Sequence, residues 1–375
     1  MAWQPIVPLL GKFFAALGAM VGFGALIAIH EFGHFIFCKI FGVKTPTFSI
    51  GMGPVIFKRR FWDTDFSLSL LPLGGYVEMA GSHEPGQGEQ LQAHDRSETS
   101  FQSKPYWQKM CIMFGGIFFN LATAFIIYFG LFWHGMPQQT TKSMTISSFV
   151  EKHTPAENGG LKVGDKIVGL GGKKFSEEKT TIDAILKNLQ GHPSKAMNFT
   201  IIRDKFEKSL YVTLGQKESA NGPIGSLGAA FELEAGETIY ESYSLAESLT
   251  HTIATMKAQI IGISSFIKRA FVQRDLSSAG GPLMIASQSF KMASSGIKLL
   301  LMFLAYVSIN LALLNVLPLG ALDGGQILFS TIEFVIRREL PDMFRIAVNA
   351  ISIFLFALLF FFLTYKDIMR IWLGS

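Results

Sequence analysis

Four long runs of apolar residues constrain this 375-residue chain more than any other feature in it. Phe13 to Ile29, Cys111 to Phe132, Ile297 to Leu317 and Ile346 to Leu363 are each close to the roughly 20 residues that cross about 30 Å of hydrocarbon as a helix. A chain with four such runs is expected to fold as a polytopic α-helical membrane protein, since a spanning helix satisfies its own backbone in lipid. The residue balance agrees: 49% are hydrophobic, 16% are charged, and the mean hydropathy is +0.34. The first run stands where a secretory signal would stand, but it lacks a basic start and a small-x-small cleavage site.

Cys38 and Cys111 are the only cysteines, and both fall in or beside expected spans, so no disulfide framework indicates a compartment. The net charge is +5. Its basic residues are scattered among acidic ones and form no stripe interleaved with aromatics, which argues against nucleic acid and for contact with a lipid bilayer.

Between the second and third spans lies the long polar region, about Met136 to Ser295. Phe199 to Arg203 and Leu210 to Leu214 alternate as strands, and Gly- and Asn-containing turns are expected between such strands. The stretch from Thr154 to Leu170, with Pro155-Ala156, Gly160-Leu161 and Gly164-Asp165, resembles the signature of PDZ domains and places one at residues 136–217. PDZ folds bind extended peptides by adding a strand to a sheet edge, so a peptide or C-terminal ligand is implied. Residues 218–295 read as a connecting segment in which Leu245 to Gln273 forms an amphipathic helix on the membrane surface, or a helix packed on the domain. Gly81 to Ser103 reads as a flexible polar loop.

The chemistry lies in the first span, in Ala28-Ile-His-Glu-Phe-Gly-His34. On a helix, His30 and His34 lie on one face and Glu31 sits beside them. This is the spacing of zinc hydrolases, in which the histidines hold zinc and the glutamate acts as general base. An acidic side chain inside a span costs about 2.5–3.5 kcal/mol on insertion scales, so such residues face a bundle interior or a wet cavity. Catalytic zinc usually takes three protein ligands. A histidine six residues beyond His34 is ruled out because Ile40 stands there. A glutamate on a later helix fits the pattern. So does Asp323, in Asn315-Val-Leu-Pro-Leu-Gly-Ala-Leu-Asp-Gly-Gly325, where Pro318, Gly320, Gly324 and Gly325 are expected to unwind the helix near the membrane face.

The two segments together resemble the site-2 protease family (M50) of intramembrane zinc metalloproteases, most closely its RseP-type (regulator of sigma-E protease) members. Phe48 to Pro54, Leu71 to Gly81, Gly115 to Asn120 and Gly280 to Ala286 follow the family's order. The resemblance implies one catalytic Zn2+ held by His30, His34 and Asp323, with Glu31 as the base. It implies a membrane-reentrant β-hairpin over Phe48 to Met79, substrate contacts from Asn315, Pro318, Phe66, Leu68, Leu70, Gly74 and Gly75, and supporting roles for Asn120, Gly324 and Gly325. The implied layout is an N-terminal membrane part, residues 1–135, with spans at about 13–43 and 108–134, a reentrant region at 44–81 and a loop at 82–103. A C-terminal membrane part, residues 296–375, has spans at about 297–317 and 346–365.

The implied activity is regulated intramembrane proteolysis of membrane proteins that carry a transmembrane segment, such as anti-sigma factors or remnant signal peptides. The implied location is the bacterial inner membrane with the PDZ domain in the periplasm. Lys44, Lys58, Arg59 and Arg60 in the first loop and Arg337, Arg338 and Arg345 in the third fit the positive-inside rule in that orientation; Lys366 and Arg370 run against it. The chain departs from the pattern in having room for a single PDZ domain, in Ile117 where the family has proline, and in Gln326 after the Asp-Gly-Gly. Three rival readings differ in what they need. A membrane scaffold requires none of His30, Glu31, His34 and Asp323, a transporter requires two similar halves, and a CAAX-processing zincin requires a glutamate ligand and no PDZ module.

Overall fold

The computed structural model describes residues 6–82, 95–151, 153–219, 222–273 and 279–373. It divides into two compact units, Met1–Trp133 with Ser244–Ser375, and His134–Tyr243. Most of the loop expected at 82–103 lies outside the described residues.

The first unit opens with α1 (Ile6–Ile40), which carries the His30 motif near its C-terminal end. Its C-terminus closes as a Schellman motif. Gly42 takes φ +65°, the Gly42 N–H donates to the Lys39 carbonyl, and the Val43 N–H donates to that of Cys38 at 2.8 Å. The helix therefore stops at Ile40 rather than near residue 43, and the buried Val43 redirects the chain into a hairpin.

That hairpin consists of β1 (Thr47–Phe61) and β2 (Thr64–Val77), turned through Trp62 and Asp63, both at positive φ. The strands are bent, and each contributes twice. Residues 47–50 lie between residues 65–68 and 75–77, while residues 55–61 flank residues 64–69 on their other side. Two segments thus make a four-ribbon sheet whose outermost ribbons are 75–77 and 55–61. Its root is fixed by Phe48 and Phe66, whose rings lie 5.5 and 5.4 Å from that of Phe35 on α1. Its far part exposes Met52, Val55, Ile56, Phe57, Leu70 and Leu71.

The remaining helices of this unit are α2 (Tyr106–His134), then α5 (Leu245–Lys268), α6 (Pro282–Ser294), α7 (Ile297–Asn315), α8 (Asp323–Ile336) and α9 (Asp342–Leu373); α3 (Pro155–Asn158) and α4 (Ile182–Gln190) belong to the second unit. Among the described residues α1, α2, α7 and α9 are long and apolar enough to cross a membrane. The stretch Leu245 to Gln273 is α5 continued by a π-helical turn, Arg269–Gln273. A capping box between Ser244 and Glu247 starts it. It packs on α2, with Gln259 Nε2 donating to Tyr128 Oη at 2.7 Å and His251 stacked on Phe132.

Asp367 of α9 accepts the Gly281 and Met284 N–H groups at 3.0 and 2.9 Å and so caps the N-terminus of α6. Pro318 ends α7, as expected, but the unwound backbone is Val316–Leu322. Asp323, expected on irregular backbone, is instead the first residue of α8.

The second unit is an antiparallel sheet in the order β10-β3-β4-β6-β7, from β3 (Met136–Phe149), β4 (Lys166–Leu170), β6 (Ala196–Arg203), β7 (Phe206–Thr213) and β10 (Ala229–Glu241). The short β5 (Lys173–Lys174) pairs with β4, and β8 (Gly215–Ser219) with β9 (Gly222–Ser226). Two helices, α3 (Pro155–Asn158) and α4 (Ile182–Gln190), complete it around a core that includes Ile146, Ile167, Phe199, Ile201 and Val212. The β6–β7 turn is Asp204-Lys205, both left-handed, with no glycine.

Asp165 holds the α3–β4 corner. Its carboxylate accepts Arg203 Nε at 2.7 Å, Arg203 Nη2 at 2.6 Å and the Lys162 N–H at 2.8 Å. The unit does not end near residue 217. It continues to Tyr243, because β10 pairs with β3 from Ala229↔Phe149 to Glu241↔Met136. The first part of the expected connector is therefore β-structure.

Candidate metal centre

A close approach of two helices creates the site. At the crossing of α1 and α2, an added Cβ on Gly33 would collide with the carbonyl oxygen of Gly115. One on Gly116 would lie 2.5 Å from His34 Nε2 and from His30 Cε1. Glycine at these positions lets the backbones meet and leaves the imidazoles room against α2.

Helix α2 also orients both rings. His34 Nδ1 lies 2.8 Å from the Ile112 carbonyl oxygen, and a carbonyl only accepts, so Nδ1 carries the proton and Nε2 the lone pair. His30 Nδ1 lies 3.2 Å from the Asn120 amide, whose other end, Oδ1, is buried without a hydrogen-bond partner. Exchanging the two amide ends gives Oδ1 the His30 Nδ1–H and leaves His30 Nε2 with its lone pair as well.

Asp323 completes the group. His30 Nε2 and His34 Nε2 lie 3.2 Å apart, His30 Nε2 is 3.2 Å from Asp323 Oδ2, and His34 Nε2 is 3.4 Å from Asp323 Oδ1. Metal–ligand bonds of about 2.0–2.1 Å in a tetrahedral site place ligand atoms about 3.3 Å apart, so these atoms have the spacing of one tetrahedral face. Asp323 Oδ2 is buried with no hydrogen-bond partner, which is costly unless a cation shares the site. Among the described residues this is the one group of three or more His, Cys, Asp or Glu side chains that could hold a metal ion.

A cavity of about 340 Å³ adjoins the group, lined by His30, Glu31, Asn120, Asn315 and Asp323, with Met52, Gly75 and Tyr76 from the hairpin. The Glu31 carboxylate accepts the Val77 N–H. Asn315 Nδ2 lies 3.3 Å from His30 Nε2.

Other residues singled out from the sequence are not brought to the cavity. Phe66 is packed at the hairpin root, and Leu68 and Leu70 are exposed away from it. Residues 64–69 are flanked on both sides by β1, whereas residues 75–77, among the described residues, pair with β1 on one side only and give the Val77 N–H to Glu31. Gly74 abuts the Met52 side chain and does not itself line the cavity, Pro318 shapes the turn, and Gly324 and Gly325 press on the carbonyls of Val316, Leu317 and Leu319. Sequence reasoning missed Met52, Tyr76 and the Ile112 carbonyl. No local signal marks a backbone oxygen, whereas the paired glycines of α1 and α2 were a visible sign of a close crossing.

An HExxH helix, an aspartate and a glutamate-lined cavity, set among helices long enough to span lipid, define a membrane-embedded hydrolase of the metallopeptidase class. The chain belongs to peptidase family M50, whose profile it matches over residues 18–359. It is 30% identical over 372 residues to a Campylobacter jejuni protein, covering 98% of this chain and 97% of that one. It is 29% identical over 354 residues to one from Clostridium perfringens, and 27% identical over 352 residues to one from Helicobacter pylori. These alignments cover 94% and 92% of this chain and 97% of each relative. All three are named as candidate zinc metalloproteases.

Proposed function

We propose that this chain is an intramembrane zinc protease that hydrolyses peptide bonds within or near transmembrane segments of membrane proteins. The observation that carries this reading is the 3.2–3.4 Å triangle of His30, His34 and Asp323, with Glu31 on the adjoining cavity. Zinc bound there supplies Lewis-acid polarisation of the scissile carbonyl and acidifies a water molecule. His30 and His34 would hold the ion through Nε2, because α2 engages both Nδ1 atoms, and Asp323 would supply the third donor. Glu31 takes a proton from the attacking water and returns it to the leaving amine as the C–N bond breaks. Asn315, on the cavity wall with its Nδ2 3.3 Å from His30 Nε2, is read as a donor to the substrate carbonyl.

A transmembrane helix hides its carbonyls in its own hydrogen bonds and must be unwound before water can attack one. The side of residues 75–77 that no described strand pairs, where Glu31 takes the Val77 N–H, is suited to holding the unwound segment as an added strand. The apolar exposure of Met52 to Phe57 supports a hairpin that re-enters the bilayer. The unit His134–Tyr243 is read as a PDZ-type module for an extended peptide, extracytoplasmic in a bacterial inner-membrane protein. Anti-sigma factors and remnant signal peptides are the substrate classes to examine first.

The test compares membrane proteomes of cells carrying the wild-type chain and Glu31→Gln, at rest and under envelope stress. Transmembrane fragments that accumulate only in the variant identify the substrates; matching proteomes contradict the reading.

A further inference from the structure

Helix α9 is the least buried of the four apolar helices, with 6% of its most hydrophobic window covered by protein. Polar residues that are buried on such a helix need a reason. Arg345, Asn349 and Ser352 are 8, 8 and 4% exposed and are spaced by four and three residues, which puts them on one face. Arg345 pairs with Glu333 of α8. The other two meet the irregular Val316–Leu322 segment at Gly320.

The contact at Gly320 involves both of its backbone polar groups. Ser352 Oγ donates its proton to Val348 O at 2.8 Å within its own helix, so toward Gly320 it acts only as an acceptor, taking the Gly320 N–H at 2.9 Å. The Gly320 carbonyl accepts Gln326 Nε2 from α8 at 3.3 Å. The Gly320 hydrogen that a side chain would replace points at Asn349 Oδ1, since a Cβ there would lie 2.5 Å from that oxygen. Between Gly320 and Asp323 stands a single turn, closed by the Leu322 N–H on the Leu319 carbonyl at 2.8 Å.

We propose that Ser352, assisted by Asn349, is a positioning residue that fixes Gly320 and thereby holds the Asp323 carboxylate at the metal-binding triangle. Without the Ser352 oxygen, the buried Gly320 N–H is an unpaired donor, and the turn shifts to find another acceptor. Asp323 starts at the end of that turn and shifts with it. The inference rests on the metal-centre reading above.

The test measures cobalt(II) and zinc affinity of the purified full-length chain in detergent, together with the visible spectrum of bound cobalt and the thermal stability of the metal-free form. Ser352→Ala is compared with Ser352→Thr, which keeps the hydroxyl. Ser352→Cys, which keeps the volume but is a weak acceptor, is measured alongside in case the alanine variant is unstable. The expected result is a 10- to 100-fold loss of affinity in the alanine and cysteine variants, with altered cobalt absorption, and affinity within about threefold of wild type for threonine. Unchanged affinity in the alanine and cysteine variants overturns the proposal, as does an equal loss in all three. Lower thermal stability with unchanged metal affinity shows a merely structural serine and also overturns it. A wild-type chain that takes up neither metal overturns the metal-centre reading itself, and this proposal with it.

Discussion

His34 Nδ1 lies 2.8 Å from the carbonyl oxygen of Ile112, so a backbone group of the second spanning helix determines which ring nitrogen of the first can bind a metal. A buried carbonyl cannot be removed by mutation, but the crossing that presents it can be disturbed. An alanine at Gly116 would thrust its methyl 2.5 Å from both imidazoles. Gly116→Ala should therefore lower zinc affinity about 100-fold while the chain remains folded, as read by metal titration and circular dichroism. Gly33→Ala sets a methyl against backbone rather than ring atoms and should destabilise the α1–α2 packing by about 1–3 kcal/mol, measured as a lower unfolding midpoint.

Asn120 should be replaceable by an acceptor and by nothing else. Asn120→Asp retains an oxygen for the His30 Nδ1–H and is expected to keep zinc affinity within a few-fold. Asn120→Leu, of similar volume, should lose about 10- to 100-fold. Equal losses in the two variants would mean that side-chain shape, not the hydrogen bond, governs the ring.

Asp367 accepts two N–H groups at the start of α6. Asp367→Ala strands a buried N–H at Gly281 and a part-buried one at Met284 and should cost about 1–3 kcal/mol, concentrated in α6 and visible as faster amide hydrogen exchange at Gly281 and Met284. Asp367→Asn keeps one acceptor oxygen and should lie between.

The Asp165–Arg203 pair gives the second unit a pH dependence with a definite sign. Burial pushes the Asp165 carboxyl up, but hydrogen bonds from Arg203 and the Lys162 N–H outweigh it and hold the group below the usual carboxylate range. A carboxyl with a lowered folded-state pKa contributes stability that is complete above its unfolded pKa of about 3.9 and is lost as pH falls through the lowered value. Amide exchange in β4 and β6 should accelerate below about pH 4, and Asp165→Ala, at a cost of about 3–5 kcal/mol, should remove that part of the pH dependence.

What was legible in the sequence follows the range of the physics involved. The apolar windows lie in α1, α2, α7 and α9 because hydrophobic run length is a local property, and only the third overshoots, by the two residues after Asn315. His30, Glu31 and His34 were readable because four-residue spacing on a helix is local too. The pairing of β10 with β3 was not, since its register depends on a partner far away in the chain. For the same reason Phe66, Leu68 and Leu70 were singled out alongside Gly75, although the stretch that β1 pairs on one side only is Gly75 to Val77: alternation identifies a strand but not which side of it is already paired. Asn349 and Ser352 gave no signal in sequence. A lone serine or asparagine in an apolar helix takes its meaning from the turn it meets.

On the proposed reading Glu31, beside a zinc ion held by His30, His34 and Asp323, hydrolyses peptide bonds of membrane-embedded segments. The most direct measurement reconstitutes the purified full-length chain in lipid vesicles with a single-span substrate and follows cleavage together with bound zinc. The wild-type chain should cut within or near the span, Glu31→Gln should keep its zinc and lose cleavage at least 1000-fold (about 4 kcal/mol of transition-state stabilisation), and Asp323→Ala should lose the metal as well. Cleavage that survives in Glu31→Gln, or zinc content unaffected by Asp323→Ala, would contradict it.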